Sequence, residues 1–478
     1  MDPFARLAAQ GAMIERLTAD SRRCAPGTAF FAYPGEKTDG RTYIADALTR
    51  GAAAVVWEED GFEWRSDWRV PNLAVGGLKQ RASVLAADFH GRPSEHLWVC
   101  GVTGTNGKTS SSQWIAAALE RHGTRAGVVG TLGSGFPGAL RDAGNTTPDA
   151  LELQAMLQEL RTAGARAVTM EVSSHGLVQG RVNGVRFSCA LFTNLSHDHL
   201  DYHGAMQAYG EAKARLFSME GLQTAVLNLD EPFGEELARR LAGRVRTIGY
   251  SVAPVARGVV DDAISVNAHL QIESSWGSGK LVTRHVGRFN VSNVLGVLGA
   301  LIAYGIPYPQ ALALVAELPD VPGRMQVVGE RPLVVVDYAH TPDALEKVLA
   351  TLRPLAAERG GQLAIVFGAG GDRDPAKRSL MGNAAARGAD RVFITSDNPR
   401  SEDPAAIIDA VARGAGGKPR READRRRAIE AAVLEAAPQD VILIAGKGHE
   451  SYQEIRGERL PFSDEAVARA ALARRSGQ

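Results

Sequence analysis

The amino-acid sequence predicts an α/β protein of three domains with mostly parallel sheets. Its 478 residues suffice for about three domains of ordinary size. Short, almost continuously apolar runs alternate with helix-like segments, a pattern typical of parallel sheets covered by helices on both faces. Residues 97–110 also read as a strand, a glycine-rich loop and the start of a helix. From these observations we expect domains at 1–95, 96–325 and 326–478.

The first of these segments is expected to form a small α/β domain. Apolar runs at 29–32, 52–57 and 73–75 predict its strands, and charged and turn residues separate them. The segment 91–94 reads Gly-Arg-Pro-Ser, a composition that favours a loop. It therefore marks the predicted linker to the second domain.

The second segment is expected to form the largest sheet. After the glycine-rich loop, helix-like segments alternate with predicted strands at 126–130, 167–172, 189–193 and 224–228. An irregular, β-rich stretch follows over 247–286, and the periodicity of 290–304 predicts a helix. We therefore expect a central domain with a mostly parallel sheet.

The third segment begins after the turn-like sequence Val-Pro-Gly-Arg at 321–324. Its predicted strands lie at 333–337, 363–368, 391–395 and 441–446. Each ends in a polar or glycine-containing loop, the position at which open α/β sheets bind ligands. We expect a Rossmann-like domain with a binding site at this edge.

Composition limits the class of protein. Lys plus Arg and Asp plus Glu both number 54, so the zero net charge disfavours a general nucleic-acid or membrane-surface binder. The three cysteines are far apart and have no metal-ligand spacing, which fits a reducing compartment. No export signal is recognisable, and the longest apolar stretch is too short to span a bilayer. We expect a cytoplasmic, monomeric enzyme that acts on small molecules, without nucleic-acid or membrane partners.

The glycine-rich loop predicts a site for a nucleoside triphosphate. Residues 101–110 read Gly-Val-Thr-Gly-Thr-Asn-Gly-Lys-Thr-Ser. In such a loop backbone N–H groups converge on phosphate oxygens, Lys108 reaches the β- and γ-phosphates, and the Thr109 hydroxyl is available to Mg²⁺. The usual pattern has glycine where this chain has Val102, so an ordinary glycine-rich βα turn is the alternative.

Several other strand ends carry residues suited to chemistry. Glu171 ends an apolar run in the same predicted sheet and could hold Mg²⁺, unless it is a solvated strand-end carboxylate. The segment 193–203 is rich in His and Asp; it favours an additional Mg²⁺ ligand over zinc, because it fits no zinc signature. Lys213 by itself reads as a surface lysine of a helix. Asp397-Asn398-Pro399-Arg400 could bind a zwitterion, although a helix-capping turn is the simpler interpretation.

Taken together, these residues resemble the Mur ligase family, the ATP-dependent amino-acid-adding enzymes of peptidoglycan synthesis. The resemblance covers nearly the whole chain. The motifs that carry it follow one another in order, at 104–110, 145–148, 171–176, 194–204, 290, 323–324 and 337–342. In this family the spacing Gly-x-x-Gly-Thr-Asn-Gly-Lys-Thr is itself the usual form of the phosphate loop, so Val102 is not a departure.

The resemblance also implies a substrate pair and a reaction. Asp20-Ser21-Arg22 and Pro26-Gly27 are similar to the family member that extends UDP-N-acetylmuramoyl-L-alanyl-D-glutamate. Asp397–Arg400 resembles the motif that selects meso-2,6-diaminopimelate, whose distal carboxylate would pair with Arg400, whereas lysine would leave that arginine unpaired. The implied reaction is ATP-dependent ligation through an acyl phosphate.

The resemblance further implies roles for individual residues. The implied catalytic residues are Lys108, Glu171, His199 and Lys213, and those that hold Mg²⁺ are Thr109, Glu171, His199 and a carbamylated Lys213. Residues implied to bind ATP are Gly104, Thr105, Asn106, Gly107, Lys108, Thr109, Ser110, Asn290, Arg324 and Asp337. Those implied to bind the UDP-sugar peptide are Ser21, Glu36, Lys37, Thr38, Asn145, Thr146, Thr147, Ser173, Gln179 and Arg181. Those implied to bind diaminopimelate are Arg373, Asp397, Asn398, Pro399, Arg400, Gly446 and Glu450. His197 is given no role.

Three alternatives remain open at this point. The nearest is a lysine-adding or folylpolyglutamate-type ligase of the same superfamily. A second is a nucleotide-switch protein that uses the phosphate loop for regulation. A third, an NAD-dependent enzyme using the glycines at 368–371, is disfavoured because position 373 holds arginine where the dinucleotide fingerprint ends in glycine.

Overall fold

The computed structural model describes residues 3–36, 38–142, 144–255, 258–267, 269–283, 285, 287–417 and 419–476. Within them, strands form sheets of four, eleven and six members and one two-stranded hairpin, in that order along the chain. Most strand pairs in the three large sheets are parallel, so the predicted fold class is confirmed. The boundaries at 95/96 and 325/326 stay predictions. Among the helices that the structure describes, none combines the length and the apolar character that a membrane span requires.

The N-terminal sheet is small and wholly parallel, in the order β1-β2-β3-β4. Its strands are β1 (Arg16–Thr18), β2 (Thr28–Ala32), β3 (Ala54–Glu58) and β4 (Asn72–Val75). Its helices are α1 (Pro3–Ala9), α2 (Ile44–Thr49) and α3 (Leu78–Phe89). Short 3-10 turns lie at Ser21–Arg23, Gly40–Tyr43 and Pro93–His96. The three predicted apolar runs therefore coincide with β2, β3 and β4.

The central sheet is mixed, with a parallel middle and antiparallel edges. Its strands are β5 (Trp98–Thr103), β6 (Ala126–Gly130), β7 (Gly133–Phe136), β8 (Ala139–Arg141), β9 (Ala167–Glu171), β10 (Cys189–Phe192), β11 (Thr224–Asn228), β12 (Arg246–Ser251), β13 (Asp262–Val266), β14 (Gln271–Ser274) and β15 (Gly277–Lys280). They follow the order β15-β14-β13-β12-β11-β10-β5-β9-β6-β7-β8. The β7–β8 and β14–β15 pairs are antiparallel, which the sequence did not indicate.

Helices cover both faces of this sheet and bury its middle strands. They are α4 (Lys108–Arg121), α5 (Ala150–Thr162), α6 (Ser174–Val178), α7 (Leu200–His203), α8 (Met206–Ala214), α9 (Pro232–Leu241), α10 (Arg288–Tyr304) and α11 (Tyr308–Ala316), with a 3-10 turn at Arg215–Ser218. Two apolar cores result, one on each face. The carboxyl ends of β5, β9 and β10 meet at one edge, where the predicted nucleotide residues begin.

The C-terminal sheet follows the order β16-β17-β21-β18-β19-β20. Its strands are β16 (Gln326–Glu330), β17 (Leu333–Asp337), β18 (Leu363–Phe367), β19 (Arg391–Ile394), β20 (Arg420–Arg421) and β21 (Val441–Ala445), and the hairpin consists of β22 (Tyr452–Ile455) and β23 (Glu458–Pro461). The helices are α12 (Pro342–Glu358), α13 (Ala376–Gly388), α14 (Pro404–Ala415), α15 (Arg425–Leu434) and α16 (Asp464–Ser476). Loops after β18, β19 and β21 carry the residues predicted to bind the amino acid.

Candidate active site

A large cavity, of about 980 Å³, lies between the central and C-terminal sheets. Loops at the carboxyl ends of strands from both sheets line it, as expected for ligand sites in open α/β sheets. The predicted site residues that line it are Thr105, Asn106, Gly107, Lys108, Thr109, Ser110, Thr146, Glu171, Ser173, His199, Asn290, Arg324, Asp337, Arg373, Asp397, Asn398, Arg400, Gly446 and Glu450.

The glycine-rich loop joins β5 to α4 through backbone conformations that favour glycine. Gly104 has a φ of +151°, and a Cβ there would lie 1.9 Å from the Thr193 hydroxyl oxygen. Gly107 has a φ of +84°, and its Cβ would lie 2.5 Å from the Asn293 Oδ1 atom. Val102, in contrast, is a fully buried strand residue of β5, a position that does not require glycine.

Lys108 is the first residue of α4 and lies at the cavity wall. Its Nζ atom donates to the carbonyl oxygens of Gly104 and Thr105, both at 2.8 Å. Burial lowers the pKa of this ammonium, although Glu171 and Asp198 favour its charge. The N-terminus of the helix and this lysine together form a site suited to an anion.

Glu171, at the end of β9, is joined to the loop by its carboxylate. Its Oε2 atom accepts from the Thr109 hydroxyl at 3.0 Å and from the Thr131 hydroxyl at 3.1 Å, and its Oε1 atom accepts from the Thr131 amide at 2.8 Å. Arg324 donates to the Thr109 hydroxyl at 3.0 Å. A carboxylate and a hydroxyl at this spacing are the oxygen ligands that Mg²⁺ prefers, so these residues fit the predicted metal.

His199 lines the same cavity beside an acidic residue that the sequence analysis left unassigned. Its backbone amide donates to the Asp198 Oδ1 atom at 2.9 Å, and its ring Nε2 atom lies 3.4 Å from Oδ2. Burial lowers the pKa of His199 to about 3. The imidazole is therefore neutral near pH 7, the form that binds metals. Asp198 also contacts Lys377 of α13, a link between the central and C-terminal sheets.

Lys213 is not a surface lysine, contrary to the simplest interpretation of its sequence. It is 1% exposed, its Nζ atom donates to the Gly104 carbonyl at 2.9 Å, and it lies 4.1 Å from the centre of the Tyr209 ring. Burial and the neighbouring Lys108 lower its pKa well below the usual value. An uncharged amine is the form that could be carbamylated, but the modification stays a prediction.

The alternative of a zinc site finds no support. Among the described residues, no group of three or more His, Cys, Asp and Glu side chains is arranged to hold a metal ion. The predicted Mg²⁺ ligands include only two residues of the His, Cys, Asp and Glu types, Glu171 and His199. The absence of a group of three among the described residues therefore does not test the predicted Mg²⁺ site.

Residues predicted to bind the UDP-sugar peptide divide into two groups. Those of the central sheet form a connected set: the Thr147 hydroxyl donates to the Glu171 carbonyl at 2.8 Å, and Arg181 donates to the Thr147 carbonyl at 2.6 Å. Arg181 also donates to the Gln179 Oε1 atom at 2.9 Å. Thr146 and Ser173 line the cavity, whereas Asn145 is exposed.

The second group belongs to the N-terminal sheet. Ser21 is buried in a 3-10 turn, the Glu36 carboxylate contacts Lys79, and the Thr38 carbonyl accepts from the Gly35 amide at 2.8 Å. None of these three lines the cavity. Lys37 lies outside the described residues. The roles predicted for this group remain predictions.

The loops after β19 and β21 approach each other closely. Gly446 has a φ of +116°, and a Cβ there would lie 2.5 Å from the Asp397 Oδ2 atom. The buried Lys447 donates to the Asn398 Oδ1 atom at 2.9 Å and to the Glu450 carboxylate at 2.8 Å. Asn398 in turn donates to Glu450 at 2.9 Å. The Asn398 side-chain amide therefore orients the Glu450 carboxylate through its Oε2 atom. The Oε1 atom of Glu450 takes no part in these bonds.

The two arginines predicted to bind the amino acid differ in their surroundings. Arg373 is exposed, and its Nη1 atom lies 3.4 Å from the Asp372 carbonyl. Arg400 is half-buried and donates from Nη1 to the Gly371 carbonyl at 2.7 Å. Pro399 does not line the cavity. Arg373 and Arg400 line the cavity, as does Asp397.

Arg324 and Asp337 flank the connection between the two sheets. The Asp337 carboxylate accepts from the amides of Met325 and Ala339, both at 2.7 Å. The guanidinium of Arg324 lies 4.3 Å from the centre of the Tyr338 ring. Asp337 therefore holds the backbone of Met325, which follows Arg324, against the end of β17.

Comparison with known proteins gives matches along most of the chain. Three family models match in order: "Mur ligase family, catalytic domain" at 13–90, "Mur ligase middle domain" at 102–301, and "Mur ligase, glutamate ligase domain" at 323–448. A relative from Chromobacterium violaceum is 51% identical over 97% of this chain and 95% of its own length. The chain belongs to the Mur ligase family. The resemblance predicted from its motifs is confirmed.

Other Mur ligases give the same result. The Chromobacterium relative is named UDP-N-acetylmuramoyl-L-alanyl-D-glutamate--2,6-diaminopimelate ligase, as is one from Pseudomonas aeruginosa that is 50% identical over 96% of this chain and 95% of its own. A solved structure of the same name is 37% identical, with a TM-score of 0.66, and covers 97% of this chain and 95% of that one. MurF from Acinetobacter baumannii, at 17% identity and a TM-score of 0.65, shares the fold.

Among the residues that the sequence motifs did not indicate are Thr131, Asp198 and Lys377, which line the cavity, and the buried Lys447. Thr131 and Lys447 follow predicted strands, where a polar residue was to be expected, but only the structure shows that they orient Glu171 and Glu450. Asp198 lies within a segment already noted for its density of ligand residues. Lys377 lies in a helix, and no neighbouring motif in the sequence indicates that it reaches the cavity.

Proposed function

We propose that this Mur ligase joins meso-2,6-diaminopimelate to UDP-N-acetylmuramoyl-L-alanyl-D-glutamate and converts ATP to ADP and phosphate. The observation that carries the proposal is the composition of one cavity. The phosphate loop forms one wall, and the loop 397–400, with a carboxylate and a guanidinium, forms another. Such a cavity suits a phosphoryl donor and a zwitterion that react with one shared substrate.

The first step transfers the γ-phosphoryl group of ATP to the side-chain carboxylate of D-glutamate. The bond between the γ-phosphorus and the bridging oxygen breaks, ADP leaves with the electron pair, and an acyl phosphate forms. Lys108 and the amides at the start of α4 stabilise the negative charge on the transferring group. Arg324, which contacts Thr109 at 3.0 Å, adds a second positive charge at this point.

Mg²⁺ fits this site through the Thr109 hydroxyl, the Glu171 carboxylate and the neutral imidazole of His199. When bound, the ion neutralises charge on the phosphates and aligns them for transfer. Thr131 holds Glu171 in place through two hydrogen bonds. A carbamylated Lys213 would supply a further carboxylate behind the phosphate loop.

The second step forms the amide bond. The amine of diaminopimelate attacks the acyl carbon, the bond to the phosphate oxygen breaks, inorganic phosphate leaves, and the nitrogen loses a proton to solvent. At the other end of this substrate, Arg400 pairs with the distal carboxylate and Asp397 with the distal ammonium. Glu450, oriented by Lys447 and Asn398, supplies another negative charge for an ammonium.

We further propose that the protein acts as a monomer in the cytoplasm. The phosphate loop and the loop 397–400 belong to one chain and line one cavity, which supports a monomeric enzyme. Cys24, Cys100 and Cys189 are buried and unpaired, which suits a reducing compartment.

Release of ADP by the purified protein tests the proposed function. We expect release only when the UDP-sugar dipeptide and diaminopimelate are both present. Lys108→Ala should abolish it, and Lys280→Ala, which removes an exposed lysine of the edge strand β15, should not. ADP release that is independent of both substrates would contradict the proposal and favour a nucleotide-switch protein.

A further inference from the structure

The hairpin of β22 and β23 packs directly against the loop that carries Arg400. The Arg400 amide donates to the Glu454 carbonyl at 3.1 Å, and the Arg456 amide donates to the Arg400 carbonyl at 2.7 Å. Gln453 donates to the Asp397 carbonyl at 2.7 Å. The hairpin therefore fixes the backbone at both ends of the segment 397–400.

This support matters because the backbone of Arg400 is in an unfavourable conformation. Its φ is +51°, in the left-handed region that residues other than glycine seldom adopt. A parallel bridge between Arg400 and Ile455 holds it there. The contacts with the hairpin thus stabilise this backbone conformation.

The Glu454 side chain extends the support to the guanidinium itself. Its Oε2 atom lies 3.6 Å from the Arg400 Nε atom, and both side chains are only about one-quarter exposed. On another side of the group, Arg400 Nη1 donates to the Gly371 carbonyl at 2.7 Å. The guanidinium thus forms an ion pair with Glu454 on its Nε side and a hydrogen bond from Nη1, whereas Nη2 has no part in these contacts.

Glu454 lies outside the cavity lining and contacts the site through Arg400. Arg400 lines the cavity and Glu454 does not. The backbone amide of Glu454 donates to the Asn398 Oδ1 atom at 2.9 Å, which also ties it to the Lys447–Glu450 pair. The carboxylate of Glu454 contacts Arg400, and Arg400 lines the cavity.

We propose that Glu454 is a positioning residue that determines specificity for the amino-acid substrate, because it holds the Arg400 guanidinium ready for a distal carboxylate. This inference rests on the proposed function. A planar guanidinium that is oriented in advance loses less conformational entropy when it forms a bidentate pair. A pair aligned in this way favours an amino acid with a second carboxylate over one that ends in an amine.

Steady-state kinetics of the full chain tests the inference. Glu454→Ala should raise the KM for diaminopimelate about tenfold, with the KM for ATP and for the UDP-sugar dipeptide unchanged. Glu454→Gln keeps an acceptor oxygen and should give an intermediate KM. Glu458→Ala removes an exposed glutamate of the same hairpin and should behave as the unaltered protein.

The double variant Arg400→Ala/Glu454→Ala distinguishes the two proposals. If Glu454 acts through Arg400, the double variant has the same KM for diaminopimelate as Arg400→Ala alone. An unchanged KM in Glu454→Ala, or equal increases for all three substrates, would overturn the inference while the effect of Arg400→Ala stood. An unchanged KM in Arg400→Ala would instead refute the assigned role of Arg400, and the inference with it.

Discussion

Replacement of Asp464 by alanine should destabilise the C-terminal sheet because it leaves a buried charge without a partner. Asp464 begins α16 and Arg425 begins α15, and both side chains are fully buried. Two parallel bonds join them, Nε to Oδ1 and Nη2 to Oδ2, each 2.7 Å long. Arg425 also donates to the Ala445 carbonyl at 2.9 Å, directly before the loop that begins at Gly446.

The expected loss follows from this burial. Removing one partner of a buried, hydrogen-bonded pair typically costs about 3–5 kcal/mol, because the remaining ion stays desolvated. An exposed pair contributes only about 0–1 kcal/mol. Arg421 and Asp409, both more than half exposed, provide that control in the same region. Asp464→Ala should therefore lower the unfolding free energy by several times as much as Asp409→Ala.

Native-state hydrogen exchange is the appropriate assay. A chain with several sheets need not unfold in one step, and exchange of the β18 and β21 amides reports the stability of the C-terminal sheet alone. The variant Arg425→Met/Asp464→Leu, which removes both charges, should recover most of the loss. Equal losses in Asp464→Ala and Asp409→Ala, or no recovery in the double variant, would show that the buried pair does not contribute in this way.

Two further predictions concern the phosphate loop and pH. Gly107→Ala should raise the KM for ATP at least about tenfold, because the φ of Gly107 is +84° and the new Cβ would lie 2.5 Å from the Asn293 Oδ1 atom. Initial rates at increasing ATP concentration measure this KM, and an unchanged value would contradict the described loop geometry. Burial lowers the pKa of His449 to about 4 in the folded chain, whereas the pKa of an unfolded histidine is about 6.5. Between these two pH values the unfolded chain binds a proton at this residue and the folded chain does not. The free energy of unfolding therefore falls as the pH drops from about 6.5 to about 4. Between pH 7 and about 4.5, this decrease should be smaller in His449→Gln than in the unaltered protein by about 2 kcal/mol. Thermal unfolding at the two pH values measures it, and equal decreases in both proteins would contradict the prediction.

Much of the fold could be predicted because its inner strands are almost entirely apolar. The predicted strands at 126–130, 224–228 and 333–337 have the same bounds as β6, β11 and β17. The edge strands could not be predicted in this way. The β15 sequence Gly-Ser-Gly-Lys has no apolar alternation and little intrinsic strand propensity, so only its pairing with β14 makes it a strand.

The site was predictable where its residues lie in local motifs. The phosphate loop is one example, since its glycines, lysine and threonine occur within ten residues. The contact between Asp198 and Lys377 joins residues 179 positions apart, and that between Arg400 and Glu454 joins residues on separate elements. Neither has a local sequence signal, because tertiary packing alone brings the partners together.

The identity of the amino acid that the enzyme incorporates decides whether the loop 397–400 selects diaminopimelate. The purified protein is incubated with ATP, Mg²⁺, UDP-N-acetylmuramoyl-L-alanyl-D-glutamate and equal concentrations of meso-diaminopimelate and L-lysine. Mass spectrometry of the nucleotide-linked product then identifies the amino acid that was added. We expect a product that carries diaminopimelate, because Arg400 and Asp397 provide partners for its distal zwitterion. A product that carries mainly lysine, or no amino-acid adduct at all, would contradict it.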